Sequence, residues 1–343
     1  MPYTQVSNLD FDDIKTSLKE YMRAQSEFTD YDFEGSALAT LIDTLAYNTY
    51  YTAFNTNMVV NELFIDSATL RDNVVAIAKQ LGYRPKSATA PTAYVSFTAT
   101  YGNPTTDTEL ILKKGTGFIS SFDNNVYQYV VTDDVKAQVI NDVATFTNVE
   151  VKEGTQLVNT FTVNTALKSQ KFILDNPNID TNTIRVKVFP TGGSFNEPYL
   201  VADNILGVDA TSKVFFLDEI EDQRYEILMG DGVLGKKLEN NARIEVSYLT
   251  TAGPESNGVR TFVFSGVLEN PNGVTPSSIT TSITSTVASA GGEEIESTQK
   301  IKYTAPKAYG TQERAVTVQD YEAIVRQVYP ATSDIIIFGG EDQ

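Results

Sequence analysis

The apolar residues of this 343-residue chain change their spacing near Pro91, from a helical repeat to a two-residue repeat. Before Pro91 they recur at steps of three and four residues, which is typical of amphipathic helices. After it, Ala93, Val95 and Phe97 alternate with polar residues, as in a half-buried strand. The sequence therefore predicts an α+β multidomain chain with an N-terminal helical module, central antiparallel β domains and a C-terminal mixed α/β segment.

Three helices are predicted before Pro85. Asp10 is expected to cap the first helix, because a carboxylate at that position accepts hydrogen bonds from the first free backbone N–H groups. The second helix is expected to begin near Gly35 or Ser36, and the third near Asp66 or Ser67. The second helix is long and rich in aromatic residues towards its end.

The segment 271–292 resembles a Ser/Thr-rich linker, but its apolar residues are regularly spaced. Ile279, Ile283 and Val287 stand four residues apart, and this spacing would place all three on one face of a strand. The pattern therefore favours a long strand over a linker.

The C-terminal part contains a helix signal followed by a strand signal. Thr317 and Asp320 have the spacing of a capping box ahead of the helical stripe that begins at Tyr321. The apolar run from Asp334 to Phe338 predicts a strand.

The predicted domains are residues 1–90, 91–290 and 291–343. The first is a helical module that joins an inter-subunit bundle, and the second is an antiparallel β region with two sub-domains. The third is a mixed α/β segment that is expected to be truncated.

The composition removes most catalytic and metal-binding chemistry. The chain has no histidine and no cysteine, which excludes histidine-based triads, thiolate nucleophiles and zinc–thiolate sites. A carboxylate-based hydrolase is the remaining enzyme hypothesis, but no acidic pair is marked by the sequence. We expect no enzyme activity, no cofactor, no metal site and no small-molecule substrate.

Charge and hydropathy also argue against two classes of partner, nucleic acid and membrane. The formal net charge of -18 disfavours binding to nucleic acid or to anionic lipid. No apolar run reaches the roughly 18 residues that a membrane-spanning helix needs. We therefore expect neither nucleic acid nor membrane among the partners.

A glycine-rich turn carries the most conspicuous short motif. Gly230, Asp231, Gly232 and Gly235 form the pattern G-x-G-x-x-G, followed by Lys236. A nucleotide-binding loop would open a helix at these glycines, whereas here strand-like runs lie on both sides. The pattern favours a turn between strands, of the β-hairpin type.

The second helix is apolar over more than one face, which favours burial against other subunits. The residues predicted to form such an interface are Leu38, Ile42, Leu45, Tyr50, Tyr51, Phe54, Leu63 and Phe64.

Several stretches, taken together, resemble baseplate wedge subunits of contractile-tail bacteriophages, within the wider baseplate J-like family. They are NELFIDSATLR from Asn61 to Arg71, AKQLGY from Ala78 to Tyr83, YEILMGDGVLG from Tyr225 to Gly235, RIEVSYL from Arg243 to Leu249, Asn257-Gly258, Gly291-Gly292, Glu296-Ser297, Ala305-Pro306, Arg314 to Thr317 and Asp320-Tyr321. These matches run in the expected order along nearly the whole chain.

The resemblance implies a structural virion protein of the tail baseplate, assembled in the host cytoplasm. Its expected partners are other copies of itself, other wedge proteins, and sheath or tube-proximal baseplate proteins. It would form the inner ring around the hub and relay conformational change when the sheath contracts.

Two alternative functions would give the protein different partners. One is a baseplate component of a phage-like bacterial injection or secretion system, which genomic neighbours would identify. The other is a β-rich tail adhesin or carbohydrate-binding module, which would bind on a glycan array.

Overall fold

The computed structural model describes residues 7, 10–25, 36–167, 170–193, 195–202, 207–311, 314–328 and 335–338. It divides into a helical unit, Met1–Arg84 with Ser297–Gln343, and a β unit, Pro85–Glu296. The predicted α+β class is confirmed. Helices from the N-terminal and C-terminal parts of the chain, which were predicted as separate domains, belong to the same helical unit.

The helical unit contains the helices α1 (Phe11–Arg23), α2 (Ala37–Glu62), α3 (Arg71–Gln80), α4 (Thr298–Thr311) and α5 (Val318–Val328). The predicted caps of the first two helices are confirmed. The Asp10 carboxylate accepts a hydrogen bond from the Asp12 backbone N–H at 2.8 Å, and the Ser36 hydroxyl accepts one from the Ala39 N–H at 3.0 Å.

The predicted cap of the third helix is wrong. Helix α3 begins at Arg71, and its N-cap residue Leu70 makes no side-chain capping bond. The Ser67 hydroxyl is unavailable because it donates to the carbonyl of Asn61 at 2.6 Å. The capping group is instead the Glu62 carboxylate at the end of α2, which lies eight residues before Leu70 and accepts its N–H at 3.3 Å.

The buried core of the helical unit joins α3 to α4. Ala68, Val74, Val75, Ala78 and Tyr83 pack there against Ile301 and Ala305. Helix α1 packs on α2 but contributes no fully buried residue. The α1–α2 pair therefore lacks a closed core of its own within the described residues.

The strands of the β unit, in chain order, are β1 (Thr92–Tyr101), β2 (Glu109–Leu112), β3 (Gly117–Phe122), β4 (Asn125–Val130), β5 (Val135–Ile140), β6 (Val143–Glu153), β7 (Thr155–Thr162), β8 (Phe172–Leu174), β9 (Ile179–Phe189), β10 (Glu197–Val201), β11 (Val214–Glu219), β12 (Tyr225–Met229), β13 (Arg243–Thr250), β14 (Val263–Phe264), β15 (Leu268–Glu269) and β16 (Ile279–Ala290).

These strands form two sheets with separate cores. Strands β1–β6 and β14–β16 make a 9-stranded sheet, and β7–β13 make a 7-stranded sheet in the order β7-β13-β9-β10-β11-β12-β8. The pairs are antiparallel except for β10 and β11, which run parallel. The first core centres on Phe97, whose ring stacks on Phe146 at a centroid distance of 4.5 Å. The second core contains the fully buried Tyr248.

The segment predicted as a long strand is confirmed as β16, but only two of its three regularly spaced apolar residues lie on one face. Ile279 and Ile283 pack on the first core, whereas Val287 is 56% exposed. The register between β1 and β16 shifts between Ser96 and Phe97, so one strand carries an extra residue there. An extra residue of this kind turns the side chains beyond it to the opposite face.

One other prediction of strand geometry is wrong. The strands that flank the glycine-rich turn do not pair as a hairpin, because β12 pairs with β11 and β8 while β13 pairs with β7 and β9.

The strand predicted from Asp334 to Phe338 stays a prediction. Asp334 lies outside the described residues, and residues 335–338 have no regular secondary structure in the single chain. A strand forms through hydrogen bonds to a partner, and no partner of this segment lies among the described residues.

Candidate subunit interface

Helix α2 has almost no charge along its 26 residues. Its acidic groups are Asp43 and Glu62, and it has no basic residue. The Asp43 carboxylate pairs with the Lys15 ammonium of α1 at 2.6 Å. The hydroxyls of five threonines on α2 donate to the carbonyl four residues earlier, which satisfies them within the helix; they are Thr40, Thr44, Thr49, Thr52 and Thr56. The outer surface of α2 is therefore weakly polar.

One narrow stripe of α2 is buried in the chain. It consists of Ala39, Ile42, Ala46, Asn57 and Asn61, which recur at helical spacing. Asn57 lies opposite Ser7, whose backbone N–H donates to its side-chain oxygen at 3.1 Å. The rest of the helix circumference remains outside this stripe.

An apolar flank of α2 faces away from the chain. Tyr47, Tyr51, Phe54 and Met58 follow one another at steps of four, three and four residues, so they form one line along the helix. They are 63%, 55%, 47% and 47% exposed. The rings of Tyr47 and Tyr51 stack at a centroid distance of 6.4 Å. We call these four residues the aromatic flank.

A second exposed apolar set lies on the other side of α2 and beyond its end. Leu41, Leu45 and Val59 are on the helix, and Leu63 and Phe64 follow it. All five are exposed by about half or more. Monomeric soluble proteins rarely leave apolar patches of several hundred Å² uncovered, and such patches mark contacts with other chains. Exposed apolar residues therefore lie on more than one side of α2.

The structure separates the predicted interface residues into three groups. Leu45, Tyr51, Phe54, Leu63 and Phe64 are exposed. Leu38 and Tyr50 are half-buried. Ile42 is only 3% exposed because it packs inside the chain, so it offers no surface to a partner here. Four further exposed apolar residues of α2 were not predicted as interface candidates: Leu41, Tyr47, Met58 and Val59. The spacing of the aromatic flank could have identified Tyr47 and Met58.

Glu62 fixes the end of this surface to the start of α3. Its carboxylate accepts hydrogen bonds from the Thr69 backbone N–H at 2.7 Å and from the Asn73 side-chain amide at 2.8 Å. Partial burial raises the pKa of this carboxyl, but the hydrogen bonds from Asn73 and Thr69 outweigh it and lower the pKa to about 2. The ionised carboxylate therefore holds the connection that presents Leu63 and Phe64.

The glycine-rich turn has the geometry of a packed loop without a helix. The Asp231 carboxylate accepts the backbone N–H groups of Val233 and Leu234, both at 2.8 Å. A β-carbon on Gly230 would overlap the backbone of Gly235, so the two ends of the turn touch. No helix starts between β12 and β13, and the amides that would cradle a phosphate are used within the turn.

The lysine after this turn is also engaged within the chain. The Lys236 ammonium lies 2.8 Å from the Glu197 carboxylate, and Lys213 lies 3.1 Å from the same group. The hydrogen bonds from Lys236 and Lys213 lower the pKa of Glu197. Lys236 is thus neutralised by a carboxylate, which opposes a role in phosphate binding.

Thr317 and Asp320 make the reciprocal hydrogen bonds of a capping box. The Asp320 N–H donates to the Thr317 hydroxyl at 3.2 Å, and the Thr317 N–H donates to the Asp320 carboxylate at 2.8 Å. Hydrogen bonds to the Asp320 carboxylate lower the pKa of Asp320; the Thr317 N–H contributes most, and the Thr317 hydroxyl and the Val316 N–H add to it. Tyr321, on the first turn of α5, is 48% exposed.

The described residues contain neither a metal-binding acidic cluster nor a membrane-spanning helix. No three of their acidic side chains come close enough to hold a metal ion. None of their helices combines the length and apolar character needed to cross a membrane.

The comparison with protein families gives a match to the N-terminal helices. Residues 10–83 match the family described as "Baseplate wedge protein gp6-like, helical domain". This range contains α1, α2 and α3, and therefore the aromatic flank.

A relative and a solved structure extend the comparison beyond these helices. "Baseplate wedge protein gp6" of Enterobacteria phage T4 is 28% identical over 335 residues, which cover 92% of this chain. The chain spans about half, 49%, of that relative's length. A structure of the anti-feeding prophage baseplate aligns with 95% of this chain and 66% of its own chain, at 12% identity and a TM-score of 0.31. A score of that size does not establish a shared fold. The resemblance to baseplate wedge subunits of contractile-tail phages is therefore confirmed, and residues 10–83 match their gp6-like helical domain.

Proposed function

We propose that this chain is a non-enzymatic structural subunit of a phage tail baseplate wedge, and that it assembles by burying the exposed apolar surface of α2. Two findings on the same residues support this proposal. The gp6-like helical domain spans residues 10–83, and α2 within it exposes the aromatic flank.

Covering this apolar surface favours assembly through the hydrophobic effect. Fully burying a Leu, Phe or Met side chain contributes about 1.5–3 kcal/mol. Exposed apolar residues on α2 and just beyond it number nine: Leu41, Leu45, Tyr47, Tyr51, Phe54, Met58, Val59, Leu63 and Phe64. An amphipathic helix of this kind typically lies in a groove or bundle made by partner helices.

The partners are other copies of the chain, other wedge proteins, and sheath or tube-proximal baseplate proteins. The subunit belongs to the inner ring around the hub in the virion and is assembled in the host cytoplasm. On sheath contraction it relays conformational change, because packed interfaces switch between discrete arrangements more readily than they bend.

The side-chain chemistry supports a role without catalysis. A chain without histidine or cysteine lacks the commonest general bases, nucleophiles and transition-metal ligands. The glycine-rich turn and its lysine are engaged by groups of the chain itself. Nucleic acid, membrane and small-molecule substrates are not part of the proposal.

The test is reconstitution with the tail proteins encoded beside this chain, followed by electron microscopy. The informative variant is the double substitution Tyr51→Glu and Phe54→Glu on the aromatic flank. Its control, matched in charge and number, is Val126→Glu with Ile140→Glu, since both residues are exposed in the β unit. The wild type and the control should form wedge or ring particles, while the flank variant should stay dispersed with an unchanged circular dichroism spectrum. Equal particle formation by all three proteins would reject the proposed surface.

A further inference from the structure

The chain enters and leaves the β unit through two segments that lie side by side. The Thr89 N–H donates to the Glu293 carbonyl at 3.0 Å, and the Glu293 N–H donates back to the Thr89 carbonyl at 3.1 Å. Further out, the Glu296 N–H donates to the Lys86 carbonyl at 3.0 Å. These bonds extend the antiparallel ladder of β1 and β16 beyond its last strand pair.

The exit segment is held by one side-chain amide. Asn257 donates from its nitrogen to the Gly292 carbonyl at 2.9 Å, and its oxygen accepts the Gly292 N–H at 3.0 Å. It thus pairs with both backbone groups of Gly292, as a neighbouring strand would, and only an amide side chain supplies a donor and an acceptor in that arrangement. Gly292 is buried, and a β-carbon there would overlap the ring of Pro91. The entry and exit segments therefore touch at this point.

The entry segment is held by buried oxygen atoms. Asp180 is fully buried, and its carboxylate accepts the Ala90 N–H at 3.1 Å. The Ser87 hydroxyl accepts the Thr181 N–H at 3.1 Å. The carboxylate of Glu296, which is 4% exposed, accepts the Lys86 N–H at 3.0 Å. A buried carboxylate is costly unless it is hydrogen-bonded, so these contacts are strongly preferred over an open arrangement.

Strand β1 is paired with both β16 and β6 as far as Thr92, but residues 86–90 pair with 293–296 alone. Without the side chains, these two segments would be the free end of a two-stranded ladder. Separating its strands from that end breaks one residue pair after another, so the ladder would fray from residues 86 and 296 inward. The side chains tie each segment to a third part of the chain, namely to Asn257 for the exit and to β9 for the entry. Opening then requires the loss of several buried hydrogen bonds at once.

We propose that residues 86–90 and 291–296, with the side chains of Asn257 and Asp180, form a clasp that keeps the β unit closed where the chain enters and leaves it. Asn257 is its positioning residue. The clasp prevents motion of the attached helical segments from opening the β1–β16 ladder. It also gives a physical role to motif residues Asn257, Gly292 and Glu296, and it stands whether or not the chain is a baseplate subunit.

The first test is native-state hydrogen exchange of the full chain carrying Asn257→Ala. The control is Asn272→Ala, because Asn272 is exposed in the loop before β16. Amides of residues 86–90 and 292–296 should exchange about tenfold faster or more in the Asn257 variant, because both hydrogen bonds to Gly292 are lost. Amides of β6 and β13 should keep their rates. Unchanged rates in the clasp, or an equal acceleration across the whole β unit, would overturn the proposal.

The second test closes the clasp covalently. The chain has no cysteine, so the pair Thr89→Cys and Glu293→Cys introduces the sole thiols. Residues that exchange both backbone bonds in an antiparallel pair have Cα atoms about 5.5 Å apart, which suits a disulfide. In the Asn257→Ala background, oxidation of this pair should return the clasp amides to their wild-type exchange rates, and reduction should reverse the effect. Failure of the disulfide to restore protection would contradict the proposed clasp.

Discussion

The Glu62 carboxylate accepts hydrogen bonds from both the backbone N–H and the hydroxyl of Thr69, which joins the end of α2 to the start of α3. Asn73 adds a third donor to the same carboxylate. Helix propensities and capping rules for a single helix do not predict this contact, because the acceptor lies on one helix and its donors lie at the N-terminus of the next. This connection positions Leu63 and Phe64 at the edge of the proposed interface.

Glu62→Gln should destabilise the helical unit at pH 7 by about 1–2 kcal/mol. A glutamine keeps one acceptor oxygen but presents an amide nitrogen to the remaining donors. Because the site is partly exposed, water replaces some of the lost hydrogen bonds and reduces the loss of stability. Thermal unfolding followed by circular dichroism at 222 nm measures the effect. Glu20→Gln is the control, since Glu20 is exposed on α1; equal melting temperatures for the two variants would contradict the prediction.

The stability that the Glu62 carboxylate contributes should also depend on pH. The folded-state pKa is about 2, which is below the ordinary value of 4.5. The ionised carboxylate therefore contributes stability that is fully present above pH 4.5 and is lost as pH falls from 4.5 towards 2. The difference in unfolding free energy between wild type and Glu62→Gln should shrink over that window. A difference that stays constant from pH 7 to pH 3 would show that the hydrogen bonds do not depend on the charge.

Glu153→Gln should show the opposite pH dependence in the β unit. Glu153 is 5% exposed, and its carboxylate accepts the Thr251 hydroxyl at 2.6 Å and the Ala252 N–H at 3.0 Å. Burial raises its pKa above the ordinary 4.5, although these hydrogen bonds act the other way. The folded state therefore binds the proton more tightly, and the stability gained on protonation is lost as pH rises through the folded pKa.

The uncharged glutamine of the Glu153→Gln variant removes the pH dependence of stability that Glu153 causes. The Glu153→Gln variant should gain about 1 kcal/mol relative to wild type at pH 7, since replacing a buried charge by a neutral group of similar shape is often stabilising. The gain should disappear below pH 4.5. Urea denaturation at pH 7 and pH 4 measures it, with Glu150→Gln on the exposed side of the same strand as control. A loss of stability at pH 7 would count against the prediction.

Gly230→Ala should open the glycine-rich turn. The added β-carbon would overlap the backbone of Gly235, which cannot move without breaking the bond from the Gly235 N–H to the Asp209 carbonyl. Overpacking of this kind costs about 1–3 kcal/mol. Gly310→Ala on α4 is the control, because nothing lies near the position of its β-carbon. Calorimetry should show a lower melting temperature for the first variant alone.

Much of the local structure was predictable because its causes are local. Asp10 and Ser36 cap the helices that follow them, since capping depends on a few adjacent residues. The strand-like runs Glu109–Leu112, Phe172–Leu174 and Tyr225–Met229 in the sequence form strands β2, β8 and β12. In each, apolar residues are bounded by polar or turn-forming ones, which sets the ends of a strand.

The remaining features depend on distant parts of the chain. Strands β12 and β13 are separated by a short turn, yet each finds other partners, since sheet order depends on long-range packing that no local pattern records. Helix α4 was not predicted because Pro306 lies inside it and proline is read as a helix breaker. Ile42 has the same local pattern as Leu41 and Leu45, and only the position of the remaining chain buries it.

Covalent footprinting of its tyrosines shows whether other subunits cover the aromatic flank. Tyrosine-directed labelling with mass spectrometry should be performed on the isolated chain and on the particle reconstituted with neighbouring tail proteins. Tyr47 and Tyr51, which are 63% and 55% exposed in the single chain, should be labelled readily in isolation and lose most of that reactivity in the particle. Equal labelling of both tyrosines in the isolated chain and in the particle would contradict the account.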